Sequence, residues 1–452
     1  MILFKIVLGL LGLGVVVFVH ELGHFLAARL MGIDVEAFSI GWGKPVLKKT
    51  IRGVEYRLGM FPLGGYCKMR GENEFQEAWE NRQKEVAPVK GTFFGVSPFR
   101  RIVVSLAGPL FNLMFAVLVL SVIWGIGFEV NTLGNRIILA SEINPDQRYP
   151  ADEAGLASGD RIIEINGKKT AYYHEIQENI AVNPEKNLSL TVERDGRILN
   201  LMVRPGLDKN SGAGKIGVYF WTDPVIDTVA GGSPASAAGL EPGDRILRVN
   251  GKEIRHNVDL ISILEKAPPS LSLDYERGGR ERSAVVIPIY GENGAADLGI
   301  AYGYIRYRTP VLSPLAALAR GAAESWKTFV VSLRSLSLLF RGIDLTQAVS
   351  GPVRITYMVG DIAAEGFGQS FGAGIRSMAD FLALISIALC VMNLLPLPIL
   401  DGGMIVLFIV EAVKRKPLNP RAISVFQTVG AVLIFGLMIF AVFGDILYLA
   451  RR

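Results

Sequence analysis

Four long apolar runs constrain this chain more than any other feature. They cover about residues 2–30, 102–126, 379–397 and 425–443, and the third continues through Met404 to Val413. A bilayer core about 30 Å thick takes about 20 apolar residues in helical form, and backbone at that depth must satisfy its own hydrogen bonds. The expected fold is therefore a polytopic α-helical membrane protein with four transmembrane helices. Hydrophobic residues make up 50% of the chain and charged residues 20%, yet the charges are nearly absent from the runs. Soluble segments joined by spans distribute charge in this way; a uniformly apolar soluble enzyme does not.

The first run has only Lys5 as a charge before His20, and no small-residue cleavage site follows, so it reads as an uncleaved span and not as a secretory signal. The formal net charge of +5 is spread without a basic block, which argues against nucleic-acid binding. Two cysteines, Cys67 and Cys390, provide neither a disulfide framework nor a Cys-type metal site.

The first run flows into His20-Glu21-Leu22-Gly23-His24. Histidines four apart share a helix face, and a carboxylate beside them suits metal ligation next to a general base. The helix must continue through Leu30 to span, so His20, Glu21 and His24 fall inside or at the edge of hydrocarbon, where ionisable groups are costly and usually functional. A catalytic zinc typically takes three protein ligands and keeps an open position. The third is expected from Asn393-Leu394-Leu395-Pro396-Leu397-Pro398-Ile399-Leu400-Asp401-Gly402-Gly403, where two prolines unwind the helix and Asp401 is the acidic residue. Zn²⁺ is thus the expected cofactor, with Glu21 activating water and passing its proton to the leaving amine.

Between these sites, Phe38–Gly43, Val54–Met60 and the turn at Pro62–Tyr66 read as a small β element, either a solvated hairpin or a re-entrant sheet whose edge can pair with an extended substrate. The polar stretch from Gly71 to Val96 reads as a surface loop. In the second run, Pro109 is expected to loosen the helix, and Asn112 brings an amide into apolar surroundings. Residues 128–304 are soluble in composition and contain a repeat. Ala154 to Lys168 aligns with Ala238 to Lys252 at an offset of 84, with ten of fifteen columns identical. His174 and His256, inside this segment, are expected at the surface. Residues 314–340 carry Arg320, Glu324, Lys327 and Arg334 on an apolar pattern, as an amphipathic helix would. The stretch after Val353 is Gly-rich and weakly patterned.

A-G-L-x-x-G-D-x-I-x-x-x-N-G, present in both repeat copies, resembles the core of bacterial PDZ domains, which implies two tandem α+β modules that bind peptide termini. Lys215 to Val218 sits where the peptide-end loop of such a module would lie. Lys and Arg concentrate in the loops after the first span and at 414–421, which puts those loops in the cytoplasm and the repeats on the other side. Arg451 and Arg452 weigh weakly against that assignment.

Taken with Phe38–Gly43, Pro62–Lys68, Ala107–Asn112, Ser350–Val353 and Asn393–Gly403, the motifs resemble the intramembrane site-2 metalloproteases over essentially the whole length. The resemblance implies a zinc site of His20, His24 and Asp401, Glu21 as base, and Asn112 and Asn393 holding the substrate backbone. The β element would engage an unwound, single-span transmembrane substrate. The bilayer and such peptides are the implied partners, nucleic acid is not, and a monomer in a bacterial inner membrane is expected, with its active site toward the cytoplasm. Met404 stands where relatives often carry His. The expected divisions are 1–30, 31–98, 99–126, 127–212, 213–305, 306–375, 376–413 and 414–452. A PDZ scaffold with a vestigial metal site would lack Glu21 or a third ligand, and neither is missing. A protease for soluble substrates fits poorly with a motif inside an apolar run, and a zinc transporter would need more intramembrane ligands.

Overall fold

The computed structural model describes residues 2–209, 212–291, 296–338 and 351–450. Contacts divide the chain into one unit of residues 1–128 and 310–452 and a second of residues 129–309. Ser350 and the terminal arginines lie outside the described residues.

The first unit is helical. It comprises α1 (Ile2–Leu30), a pair of strands β1 (Val35–Ile51) and β2 (Val54–Met69), α2 (Glu72–Glu80), α3 (Pro98–Ile126), α4 (Pro314–Leu338), α5 (Pro352–Gln369), α6 (Phe371–Leu394), α7 (Asp401–Lys414) and α8 (Pro420–Ala450). Stretches of α1, α3, α6 and α8 are long and apolar enough to cross a membrane. Their outward faces keep large side chains such as Leu11, Leu118, Val122, Leu384 and Phe435 exposed, as lipid-facing helices require. α1 and α3 approach closely because Gly23 lies against the Ala107 carbonyl, where a Cβ would stand 2.5 Å from that oxygen. Farther along α3, Ala116, Leu120 and Ile123 pack with Ala383, Ile387 and Val391 of α6.

Several expectations change. Pro109 does not loosen α3, which runs unbroken from Pro98 to Ile126; packing of α1, α4, α6 and α7 around it holds the helix where one amide donor is lost. The polar stretch from Gly71 to Val96 contains α2 and a short turn at Phe93–Gly95. The weakly patterned stretch after Val353 is the helix α5. Gly351 N ahead of it and Arg354 N in its first turn donate to Asp445 of α8 at 2.9 and 3.0 Å, so the cap comes from 94 and 91 residues away and only Pro352 marks the start locally. α6 begins at Phe371, earlier than the expected 379, and ends at Leu394, where the Pro-rich residues 395–400 separate it from α7 as the two prolines predict. α4 packs against α3 and α6, with Trp124 Nε1 donating to Glu324 at 2.5 Å.

β1 and β2 fold back on themselves. Residues 37–40 pair with 55–58 on one side and with 65–68 on the other, while 47–51 pair with 54–58. Four short segments thus form a sheet in the order 47–51, 54–58, 37–40, 65–68, with the last lying beside α1.

In the second unit both copies carry a four-stranded sheet of the same order. In the first, Lys168–Lys169, Arg161–Ile165, Leu188–Arg194 and Arg197–Val203 lie side by side; in the second, Lys252–Glu253, Arg245–Val249, Leu271–Arg277 and Arg280–Val286 do. The shared motif has a physical reading. Asp160 and Asp244, 1% and 0% exposed, accept the backbone amides of Ala157 and Glu241 and bind Arg194 and Arg277. Asn166 and Asn250 adopt left-handed backbone ahead of Gly167 and Gly251 and accept from Ser189 N and Ser272 N, both at 2.9 Å. The expected division at 212/213 falls inside the first copy, because Val218–Phe220 pairs with Ile137–Leu139; the second copy begins after it. His174 is exposed, but His256 is fully buried, contrary to expectation. It precedes the helix Asn257–Leu264 and packs edge-on against Trp221, whose indole covers it. The ends of this unit are zipped together by pairing of Glu129–Thr132 with Ile305–Arg308.

Candidate metal centre

α1 holds His20 and His24 one turn apart, with Nε2 atoms 3.1 Å from each other. The break between α6 and α7 brings Asp401 to them, its Oδ2 lying 3.1 Å from His20 Nε2 and 3.4 Å from His24 Nε2. The two glycines that follow Asp401 permit that placement. A Cβ on Gly402 would stand 2.3 Å from the Leu395 carbonyl oxygen, and one on Gly403 2.1 Å from that of Leu397, so only glycine lets the first turn of α7 close onto the Pro-rich segment.

Neighbouring groups aim the rings. His24 Nδ1–H donates to the Val104 carbonyl at 2.9 Å, which leaves the Nε2 lone pair facing His20 and Asp401. His20 Nδ1 lies 3.3 Å from the side-chain amide of Asn112, a fully buried residue. Exchanging the amide's nitrogen and oxygen puts Oδ1, otherwise an orphaned buried acceptor, on His20 Nδ1–H and turns that ring's Nε2 lone pair inward as well. Asn112 is held in turn by Ser386 of α6, whose hydroxyl donates to its main-chain carbonyl at 2.9 Å. The amide thus lies on a histidine, whereas the family resemblance implies a place on the substrate backbone. Asn393 is half-buried in the last turn of α6, and among the described residues it makes no hydrogen bond to the three converging groups.

These observations match a cation site. Two imidazole lone pairs and a carboxylate oxygen converge on one point, and Asp401 Oδ2 is buried without a hydrogen-bond donor. Three such atoms repel one another unless a positive charge lies between them. Tetrahedral ligands at zinc bond lengths of about 2.0–2.2 Å are separated by about 3.3–3.6 Å, close to the separations here. Gly108 of α3 completes the cradle, since a Cβ there would lie 2.4 Å from His24 Nε2 and 2.8 Å from His20 Cε1.

Glu21 faces the sheet, where Gly65 is so close that its Cβ would stand 3.2 Å from the Glu21 Cγ. The same edge segment brings Cys67 to a cavity of about 510 Å³ that reaches His24 and Asp401, with Met69, Phe93, Phe94 and Met404 among its walls. Met404 Sδ accepts from Gln427 of α8 at 3.7 Å. The centre therefore joins a carboxylate, three metal-type donors and a cavity of mixed lining beside a strand edge. Sequence reasoning named the four chemical groups; it missed Gly108, which stood in plain view as a small residue next to Pro109, and the Val104 carbonyl, which no side chain announces.

Comparison with known proteins extends this picture. The sequence pattern described as Peptidase family M50 matches residues 8–437. A Treponema pallidum protein, provisionally named a zinc metalloprotease, is 36% identical over 446 residues, covering 98% of this chain and 99% of that one. The regulator of sigma E protease of Haemophilus influenzae is 32% identical over 460 residues, covering 97% and 98%. Among solved structures, the PDZ domain of EpsC from Vibrio cholerae is 21% identical, covers 25% of this chain and 92% of that domain, and superposes with a TM-score of 0.12.

Proposed function

The chain belongs to peptidase family M50, the site-2 protease family of zinc metalloproteases, and from that premise we propose that it cuts peptide bonds within the transmembrane segments of single-span substrates. His20, His24 and Asp401 hold the zinc. Bound there, zinc supplies Lewis acidity, which lowers the pKa of water toward neutrality and polarises a carbonyl. Glu21 takes the proton of the attacking water and delivers it to the leaving amine. Asn112 and the Val104 carbonyl fix the ring tautomers, and Asn393 helps to hold the substrate backbone. An extended substrate pairs with the free edge of residues 65–68, beside Glu21, and its side chains enter the adjoining cavity. The observation that carries this reading is the meeting of His20, His24 and Asp401, across 377 positions between His24 and Asp401, inside a bundle of apolar helices.

The finer reading follows the relatives. Similarity to a regulator of sigma E protease supports a bacterial inner-membrane enzyme of the stress response; its substrates, on the resemblance to the site-2 proteases, are an anti-sigma factor already trimmed outside the cytoplasm and remnant signal peptides. The Lys and Arg of the short loops support a cytoplasmic-side centre and periplasmic repeats. The two copies serve as tandem PDZ modules that filter or dock substrates. In the first copy a groove of about 710 Å³ between the edge at Ile216–Tyr219 and the helix Tyr173–Ala181 fits an extended peptide.

Zinc content tests the ligand set. Full-length Asp401→Ala is expected to retain less than a tenth of the wild-type zinc after dialysis against a weak chelator; an undiminished content removes Asp401 from the site.

A further inference from the structure

The sheet beside α1 has a second feature that the proteolytic reading does not use. Residues directly opposite in an antiparallel ladder share a face. The register therefore sets Lys49, Tyr56, Phe38 and Cys67 in one row, and Leu47, Leu58, Ile40 and Gly65 in the next. α1 covers only half of that face. Phe25 packs on Phe38 and Tyr56 with ring centroids 5.4 and 6.2 Å apart, and Gly65 touches Val17 and Glu21. The outer half overhangs the helix, where Leu47 and Leu58 remain 65% and 43% exposed. Beneath the overhang runs a groove of about 690 Å³ whose helical wall is Phe18, Leu22 and Phe25.

The rim of this groove is cationic. Lys48, Lys49 and Arg57 are among the residues that line it. Glu55 pairs with Arg57 at 2.9 Å and also lies in the field of Lys48, whereas among the described residues neither Lys48 nor Lys49 makes a direct ion pair. Residues 44–58 hold Lys44, Lys48, Lys49, Arg52 and Arg57 against Glu55 alone. An apolar trough along a spanning helix, ending in unpaired cations, is complementary to an acyl chain below an anionic headgroup.

We propose that this groove binds one anionic phospholipid, with a chain against Phe18, Leu22 and Phe25 and its phosphate at Lys48 and Lys49. The inference rests on the reading of α1 as a membrane span. Bound lipid seats the outer half of the sheet on α1, and the same rows end at Gly65 and Cys67 beside Glu21, so the lipid positions the edge that flanks the catalytic carboxylate.

The test is native mass spectrometry of the full-length protein in neutral detergent, with phosphatidylglycerol and phosphatidylcholine of matched chains as probes. One phosphatidylglycerol is expected to survive activation that strips phosphatidylcholine. Lys48→Gln/Lys49→Gln is expected to bind it at least tenfold more weakly, and Leu58→Trp, which fills the trough and keeps the cations, is expected to lose it too. Equal retention of the two lipids, or wild-type retention by either variant, overturns the proposal. A substrate peptide as the occupant would show itself if Leu58→Trp blocked cleavage in lipid-free detergent while phosphatidylglycerol stayed bound, which likewise overturns it. Zinc content of the same preparations separates the two readings: loss of lipid with zinc intact concerns only the groove, and wild-type protein that retains lipid but binds no zinc contradicts the protease assignment alone.

Discussion

At Gly108 a hydrogen in place of a methyl group leaves both imidazoles room to turn inward. Helix packing alone would explain a glycine in a span, but the nearest atoms here are ring atoms of His20 and His24, not a neighbouring backbone. Gly108→Val is therefore expected to keep its helix content by circular dichroism and to lose at least tenfold in zinc affinity. Wild-type affinity would show that the rings do not depend on that space. The convergence of His20, His24 and Asp401 was legible because ionisable residues are rare in hydrocarbon and histidines four apart share a helix face. Gly108 and the Val104 carbonyl were not, because a small residue has many uses in a membrane helix and a backbone oxygen has no signature in sequence.

At the scale of elements, the spans and the repeat were readable from hydropathy and self-similarity, and the break before α7 from its prolines; the helix α5 and the buried tie that holds α7 were not. α5 takes its cap from Asp445, and α7 is fixed by Glu411, which pairs with Arg101 of α3 through two hydrogen bonds of 3.0 and 2.5 Å in a nearly fully buried setting. Removing one partner of such a pair leaves an uncompensated charge and costs about 3–5 kcal/mol, so α7, and with it Asp401, is tied to the helix that supplies Asn112 and Gly108. His256 is a comparable case in the second unit. Burial holds its pKa below the ordinary histidine value, although Asp259 and Glu142 lie near and favour the charged form. A lowered folded-state pKa means that the unfolded chain binds more protons just below about pH 6.5, so stability is full above that value and falls as the pH drops through it. Hydrogen exchange of the full-length protein is expected to show the helix Asn257–Leu264 losing protection between pH 7.5 and 5.5, and losing less in His256→Gln. An identical loss in the variant would assign the effect to other groups.

At the scale of the whole molecule, the two halves of the centre are far apart in sequence because a 181-residue unit, residues 129–309, is inserted between them. Pairing of its first and last strands, Glu129–Thr132 with Ile305–Arg308, returns the chain to its point of departure, and Leu312 N donates to the Trp124 carbonyl at 3.3 Å where α4 rejoins α3. The insertion thereby leaves the bundle closed, and Asp401 can reach α1 as if the repeats were absent. This closure was invisible to motif reading, since neither terminal strand belongs to the repeated signature. The central claim is that this closed bundle cuts a peptide bond within the membrane, with Glu21 moving the proton. The most direct measurement is mass-spectrometric mapping of the products formed from a single-span substrate by purified full-length wild type and Glu21→Gln, with zinc content determined alongside. Wild type is expected to cut within the apolar segment, and Glu21→Gln to carry the same zinc and give no product; cleavage by Glu21→Gln, or a wild-type cut confined to the soluble flanks, would contradict the account.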